Sequence, residues 1–208
     1  MNISVFDIET GSLPAEELEL MAPEFKAPSN YKDEAKIAAH IAEQKANWIA
    51  DAALGAESGR ILVIGAMEVG LGDKRIFIGE EKAVIRQFFE WATFEHGAAN
   101  KLVGFNIFSF DLPFIIRRAW VLGVEIPWWI RTGRYFSDCF IDLLEVWRLG
   151  NRQDSISLKR LARLLKCGDK SDDGKRFQEV WETDRQRAIE YLRNDLQITA
   201  NAAERMLK

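Results

Sequence analysis

The sequence has little of what several classes of protein need. Cysteine occurs only twice in 208 residues, at Cys139 and Cys167, which excludes a disulfide-rich scaffold and a Cys-x-x-Cys metal site. No segment approaches the roughly 20 consecutive apolar residues of a membrane span, so we expect no membrane partner. The N-terminus lacks the basic and apolar regions of a secretory signal. We therefore predict a cytoplasmic protein with two free thiols.

An excess of positive charge is also missing. The chain has 28 Lys and Arg against 32 Asp and Glu, a net charge of −4, whereas nucleic-acid-binding proteins usually show a basic surface. The charge is unevenly distributed, however, because residues 117–176 contain 13 basic and 8 acidic side chains. This asymmetry is compatible with a basic wall beside an acidic, cation-binding centre. A hydrophobic content of 48% is typical of a globular chain.

The periodicity of the apolar residues predicts a mixture of strands and helices. Alternating β-branched residues indicate strands, and apolar residues three and four positions apart indicate helices. Residues 139–147 fit either a strand or the start of a helix. The predicted strands are 3–9, 60–69, 74–79 and 101–106, and the predicted helices are 81–94, 112–122, 157–166 and 184–207. This order predicts an α/β fold with a mixed sheet flanked by helices.

Residues 14–58 do not fit this order. They hold three of the five prolines, a helical stretch from about Asp33 to Leu54, and 4 lysines against 9 acidic residues. Such a segment is too long for a simple loop in a compact domain, and its charge makes it a poor phosphate clamp. We therefore predict one domain, residues 1–208, in which 14–58 is a helical insertion after the first strand. A lid or a docking surface is the role we expect for it.

Acidic side chains occur at three places where the neighbouring residues are apolar and an acidic residue is unusual. Asp7 and Glu9 end the first strand, where alternation puts them on the same face. Asp111 interrupts a strongly apolar stretch between a strand and a helix. In the last helix, Tyr191 and Asp195 are four residues apart and share one face. Taken singly, these are also consistent with a solvated strand end, a helix-capping Asp and an ordinary helical pair.

Taken together, these residues resemble the three exonuclease motifs of the DEDD superfamily. The motifs are the strand-end Asp-x-Glu, the Asn-x-x-x-Phe-Asp at 106–111 and the Tyr-x-x-x-Asp at 191–195. The segment GFNIFSFDLPFI is similar to the second motif of the proofreading domain of family-B DNA polymerases. The likeness covers residues 1–13 and about 60–207, and it implies a ribonuclease H-like fold. Because neither histidine lies in the last helix, the Tyr subclass is implied.

The resemblance implies a metal-dependent 3′–5′ exonuclease that hydrolyses phosphodiester bonds with two Mg²⁺ or Mn²⁺ ions. Asp7 would bridge both ions, and Glu9 and Asp195 would complete the site of the nucleophilic water. Asp111 would hold the second ion. Tyr191 would orient the water, because a phenol with an ordinary pKa near 10 is a weak base at neutral pH. Carboxylate oxygens are the ligands that these hard cations prefer.

The implied substrate is the 3′ end of a single strand, with DNA favoured. By the same resemblance, Thr10 would meet the terminal nucleotide, while Asn106 and Phe110 would line the strand-end pocket. A buried core position is an equally good interpretation of Phe110. A replication or repair protein is the partner class that a free-standing exonuclease suggests, and a monomer is the default. Candidates for phosphate contacts are Arg131, Arg134, Lys159, Arg160 and Lys175.

Two alternative functions stay open from the sequence. An exoribonuclease would use the same metal site, and the residues that would sense a 2′-hydroxyl are not visible in the sequence. A non-catalytic nucleic-acid-binding module would keep the fold without the reaction. Such modules usually lose one or more carboxylates, whereas this chain has all four together with the tyrosine.

Overall fold

The computed structural model describes residues 2–133, 135–169 and 177–207, and the chain divides into two compact units. The first unit contains Met1–Glu9 and Ile61–Lys208, and the second contains Thr10–Arg60. Within the described residues, no helix is both long enough and apolar enough to cross a membrane.

The sheet has five strands, namely β1 (Ile3–Ser12), β2 (Gly59–Glu68), β3 (Lys74–Phe77), β4 (Lys101–Gly104) and β5 (Phe140–Asp142). Their spatial order is β3-β2-β1-β4-β5. β1 pairs with β4 and β4 with β5 in parallel, whereas β2 and β3 are antiparallel. The predicted mixed sheet is therefore confirmed, and β1, β4 and β5 run in the same direction. β1 continues to Ser12, past Glu9, where its end was predicted.

The helices are α1 (Ala15–Met21), α2 (Glu34–Ala50), α3 (Glu81–Gly97), α4 (Asp111–Leu122), α5 (Leu143–Arg148), α6 (Leu158–Leu165), α7 (Phe177–Thr183) and α8 (Arg185–Met206). All four helices predicted outside the insertion are confirmed. The ambiguous segment 139–147 contains a short strand followed directly by a helix. Two short helices, α1 and α7, were not predicted.

Two glycines allow the close approach of elements that carry the acidic residues. A Cβ at Gly104, which ends β4, would lie 2.9 Å from the Phe6 carbonyl oxygen of β1. A Cβ at Gly65 in β2 would lie 2.8 Å from the side chain of Leu196, because α8 packs directly on this strand. Leu192 and Leu196 are fully buried in that contact. α8 is therefore held close to the sheet over the length that includes Asp195.

A buried ion pair joins α3 and α4. The Arg118 guanidinium donates to both carboxylate oxygens of Glu81, at 2.9 and 2.7 Å, and the two side chains are only 6% and 11% exposed. One of these oxygens also accepts the backbone N–H of Ile61 at 2.8 Å. The pair therefore ties two helices and the start of β2 together inside the first unit.

The second unit has a small core of its own. Leu13, Leu18 and Ala52 are buried together, with Trp48 packed against them, and the Ser58 hydroxyl donates to the Ala52 carbonyl at 2.9 Å. The helix predicted in this segment is confirmed as α2, followed by a 3-10 turn at Ala52–Leu54. No residue of α2 is buried, so apart from Trp48 its apolar stripe contributes little to this core.

Both cysteines are free, as predicted. Cys139 is half-buried and Cys167 is buried. Burial raises the pKa of each thiol above its ordinary value. Because the thiolate is the reactive form, both side chains are protonated and weakly nucleophilic at neutral pH.

Candidate active site

Three carboxylates converge at the edge of the sheet. Asp7 and Glu9 lie on the same face of β1, and Asp195 faces them from α8. Each of the three offers one oxygen atom such that all three atoms lie within 4.8 Å of one another. Asp195 is 1% exposed, whereas Asp7 and Glu9 are half-buried. The structure thus brings together side chains from opposite ends of the sequence.

Asp111, the fourth acidic residue, is hydrogen-bonded to the strand that carries Asp7 and Glu9. It is the first residue of α4 and is 3% exposed, and its Oδ1 accepts the backbone N–H of Ile8 at 3.1 Å. Phe110, and not Asp111, occupies the N-cap position of α4. The Asp111 carboxylate instead contacts β1 at Ile8, the residue between Asp7 and Glu9. Burial, and then the charge of Asp7, raise the pKa of Asp111 well above its usual range. Asp111 is not one of the three residues in the close group.

Tyr191 borders the carboxylates one turn before Asp195. Its ring packs on Phe177 with centroids 5.9 Å apart. Burial raises the pKa of Tyr191 far above its ordinary value, and the charges of Asp195 and Glu9 raise it further. The phenol is therefore neutral at physiological pH. It can donate or accept a hydrogen bond, but it cannot serve as an anionic base.

The donor set fits a hard divalent cation. Asp7, Glu9 and Asp195 supply only oxygen, and these like charges repel one another at this spacing unless a cation or proton lies among them. A cation near Asp7 would also relieve the repulsion that raises the pKa of Asp111. Carboxylate oxygens suit hard divalent cations such as Mg²⁺, Ca²⁺ and Mn²⁺, whereas zinc sites usually include nitrogen or sulfur.

Asp142 is a buried acidic residue that the sequence reasoning missed. It ends β5 and is 2% exposed. Its Oδ1 accepts the backbone N–H groups of Asn106 and Leu144 at 2.8 and 2.9 Å, and its Oδ2 accepts that of Phe108 at 3.0 Å. Burial raises the pKa of Asp142, and these three amides partly offset that increase. The carboxylate thereby holds the loop that leads from β4 to Asp111.

The predicted substrate-binding residues lie in different surroundings. Asn106 has a φ of 64° and its carbonyl accepts the N–H of Phe110 at 3.1 Å, which makes a tight turn. Phe110 is half-buried and packs on Phe114, with centroids 5.6 Å apart. Thr10 belongs to the second unit, where its hydroxyl donates to the Ala53 carbonyl at 2.7 Å.

The candidates for phosphate contacts are scattered. Arg131 is exposed, with its guanidinium 3.9 Å from the Asp138 carboxylate. Lys159 is half-buried and Arg160 is exposed, and both belong to α6. Arg134 and Lys175 lie outside the described residues.

Comparison with known proteins gives a family and a fold. Residues 49–199 match the model of a family described as a predicted 3′–5′ exonuclease related to the exonuclease domain of PolB. This range contains Asp111, Tyr191 and Asp195, and it begins after Asp7 and Glu9. None of the curated proteins matches the sequence.

Among solved structures, the family B DNA polymerase from the hyperthermophilic archaeon Pyrobaculum calidifontis is similar to the whole chain. The TM-score is 0.63 at 18% sequence identity, and the match covers 100% of this chain and 24% of the polymerase. At this identity the likeness shows the fold alone. The chain spans about a quarter of the length of that polymerase. The sheet and its flanking helices thus have the ribonuclease H-like arrangement that the sequence predicts.

Proposed function

We propose a function from the family to which the chain belongs, the predicted 3′–5′ exonucleases related to the exonuclease domain of PolB. In this proposal the protein removes nucleotides one at a time from the 3′ end of single-stranded DNA. The observation that carries the proposal is the group of Asp7, Glu9 and Asp195, with oxygen atoms within 4.8 Å of one another. A structural role gives no reason to gather three carboxylates at one half-buried place, whereas cation binding does.

In this proposal the carboxylates hold two Mg²⁺ or Mn²⁺ ions. Asp7 would contact both, since it lies beside Glu9 and Asp195 and its charge acts on Asp111. Glu9 and Asp195 would complete one site, and Asp111 would serve the other. When bound, the ions would activate a water molecule and stabilise the charge on the leaving oxygen.

Tyr191 would orient the attacking water. The phenol lies beside Asp195 and Glu9 and stays protonated, because burial and these carboxylates all disfavour its charged form. A neutral hydroxyl can hold a water molecule in place by hydrogen bonding, but it does not take up a proton at neutral pH. Removal of the water proton would therefore fall to a carboxylate.

The preference for DNA rests on the relation to a DNA polymerase exonuclease domain. Phe110 and Asn106, which precede Asp111 on the same loop, are proposed to line the pocket for the 3′-terminal nucleotide. A contact of Thr10 with that nucleotide stays a prediction. Stacking on an aromatic ring tolerates any base, as a trimming enzyme requires.

The test is the release of mononucleotides by the purified protein. A 5′-labelled single-stranded DNA and an RNA of matched sequence are incubated with Mg²⁺, with Mn²⁺ or with EDTA. We expect a ladder of products shortened from the 3′ end of the DNA in either metal and none in EDTA. Asp7→Ala and Asp195→Asn should abolish it.

A matched control excludes a contaminating nuclease. Asp73 is exposed in the turn between β2 and β3, so Asp73→Ala should retain full activity after the same purification. Faster decay of the RNA would replace the proposed substrate with RNA. Single-strand binding without product in either metal would instead favour the non-catalytic module.

A further inference from the structure

Two phenylalanines stack on each other, one of them in the loop that leads to Asp111. The rings of Phe108 and Phe136 have centroids 5.0 Å apart and an interplanar angle of 15°. Phe108 is three residues before Asp111, in the loop after β4, and Phe136 lies in the segment that leads into β5. Both side chains are half-buried, so the pair keeps part of its surface in solvent. None of the functional assignments above uses this pair.

A buried polar side chain fixes the backbone at or next to each ring. The Asp142 carboxylate accepts the N–H of Phe108 itself at 3.0 Å. Next to Phe136, the buried Ser137 hydroxyl donates to the Trp129 carbonyl at 2.6 Å and accepts the N–H of Arg131 at 2.9 Å. The backbone under both rings is therefore fixed, and the pair needs little further ordering on contact with a ligand.

The surroundings of the pair suit a nucleic-acid strand. Tyr135, the neighbour of Phe136, is 70% exposed, and the exposed Arg131 is tied to the same segment through its backbone N–H and the Ser137 hydroxyl. Parallel pairing of β4 and β5 places Gly104 opposite Asp142, so the loop carrying Phe108 leaves the sheet at the edge where the acidic residues gather.

From this geometry we infer that Phe108 and Phe136 form a stacking shelf for a nucleobase of the single strand, upstream of the nucleotide being removed. The inference rests on the proposed exonuclease function and adds a second contact with the strand. Aromatic stacking suits this role because every base has a π face, so the shelf binds without sequence preference. Trimming of long strands would depend on the shelf, and hydrolysis of a dinucleotide would not.

The test changes the aromatic face while it keeps apolar volume. Phe136→Leu should raise the KM for a 12-nucleotide single strand about tenfold, the order expected for the loss of one base–aromatic stack, and leave kcat/KM for a dinucleotide unchanged. Phe136→Trp should keep the KM of the original protein. Phe94→Ala, which removes a 68% exposed ring from α3, is the matched control and should change neither value.

A substrate scan provides a readout that a structural role would not affect. A single abasic position is moved along the 12-nucleotide strand, and we expect one upstream position where it raises the KM about tenfold. In Phe136→Leu the same abasic position should have no further effect, because the stack is already lost. Equal losses on the dinucleotide and on every strand would overturn the shelf and leave only a packing role for the pair.

Binding separates failure of the shelf from failure of the proposed function. Fluorescence anisotropy with labelled oligothymidylate in Ca²⁺ measures the affinity without requiring hydrolysis. If the protein releases no nucleotides but Phe136→Leu binds the strand about tenfold more weakly, the shelf stands and the exonuclease proposal falls. If hydrolysis is observed but Phe136→Leu binds the strand as tightly as the original protein, the exonuclease proposal stands and the shelf falls.

Discussion

Asp142→Ala should loosen the loop between β4 and α4 and lower the stability of the protein. The carboxylate accepts three backbone N–H groups at 2.8–3.0 Å, and a hydrogen bond to a charged group contributes about 1.5–3 kcal/mol. Burial of the carboxylate opposes this gain, as its raised pKa shows. We therefore expect a net loss of about 2–4 kcal/mol in the free energy of unfolding.

Asp142→Asn separates the contribution of Oδ1, which accepts two of the hydrogen bonds, from that of Oδ2, which accepts the third. An amide oxygen in place of Oδ1 keeps the bonds from Asn106 and Leu144, while its NH₂ group then faces the N–H of Phe108, and two donors cannot pair. The expected loss is about 1–2 kcal/mol, between the original protein and the alanine variant. A cavity effect alone would make the asparagine variant as stable as the original, because the two side chains have nearly the same volume.

Urea unfolding measures the global loss, and amide hydrogen exchange locates it. In the original protein the amides of Asn106 and Phe108 should exchange slowly, and in Asp142→Ala both should exchange much faster. Asp138→Ala is the control, since its side chain is 90% exposed and exposed ion pairs contribute about 0–1 kcal/mol. Unchanged protection of both amides in Asp142→Ala would show that the carboxylate does not hold this loop.

Three further predictions concern other parts of the chain. Tyr191→Phe keeps the ring packing on Phe177 but removes the hydroxyl. The kcat for the release of nucleotides should therefore fall roughly 10- to 100-fold, while the urea midpoint of unfolding hardly changes. An unchanged kcat would show that the tyrosine takes no part in the reaction. Arg118→Met leaves the buried Glu81 carboxylate without its cation and should cost about 3–5 kcal/mol in urea unfolding, and a loss below about 1 kcal/mol would contradict a buried pair. Replacement of Glu34–Ala50 by a short Gly/Ser linker should preserve folding, because α2 has no buried residue and only Trp48 packs on the small core of the second unit. Dinucleotide hydrolysis should stay intact, while processivity on long strands or partner binding should change. Circular dichroism showing an unfolded chain would refute a peripheral helix.

The larger elements of the fold could be predicted because burial leaves a periodic record in the sequence. The fully buried Leu192 and Leu196 of α8 are spaced for one helical face, and the β2–β3 turn is visible as Gly70 and Gly72, whose φ values are positive. α7 could not be predicted in this way. A helix of seven residues is unstable alone, and it forms where Trp181 packs into the core beside α8.

The residues of the candidate site could be predicted from the sequence, but the contacts among them could not. Asp7, Glu9 and Asp195 were identified by their order and context, yet only the fold brings their oxygen atoms within 4.8 Å. The alternative role of Asp111 as a helix cap was decided by its hydrogen bond to Ile8. Asp142 escaped notice because its partners are backbone amides, which every residue other than proline has and which leave no mark in a sequence.

The distance along the chain between the first and last carboxylates has a consequence for biosynthesis. The ribosome makes Asp7 and Glu9, in β1, long before Asp195, which belongs to α8. A nascent or prematurely terminated polypeptide therefore lacks the buried member of the trio. If the proposed function is right, hydrolysis would therefore begin only after α8 had docked on the sheet and had brought Asp195 to Asp7 and Glu9.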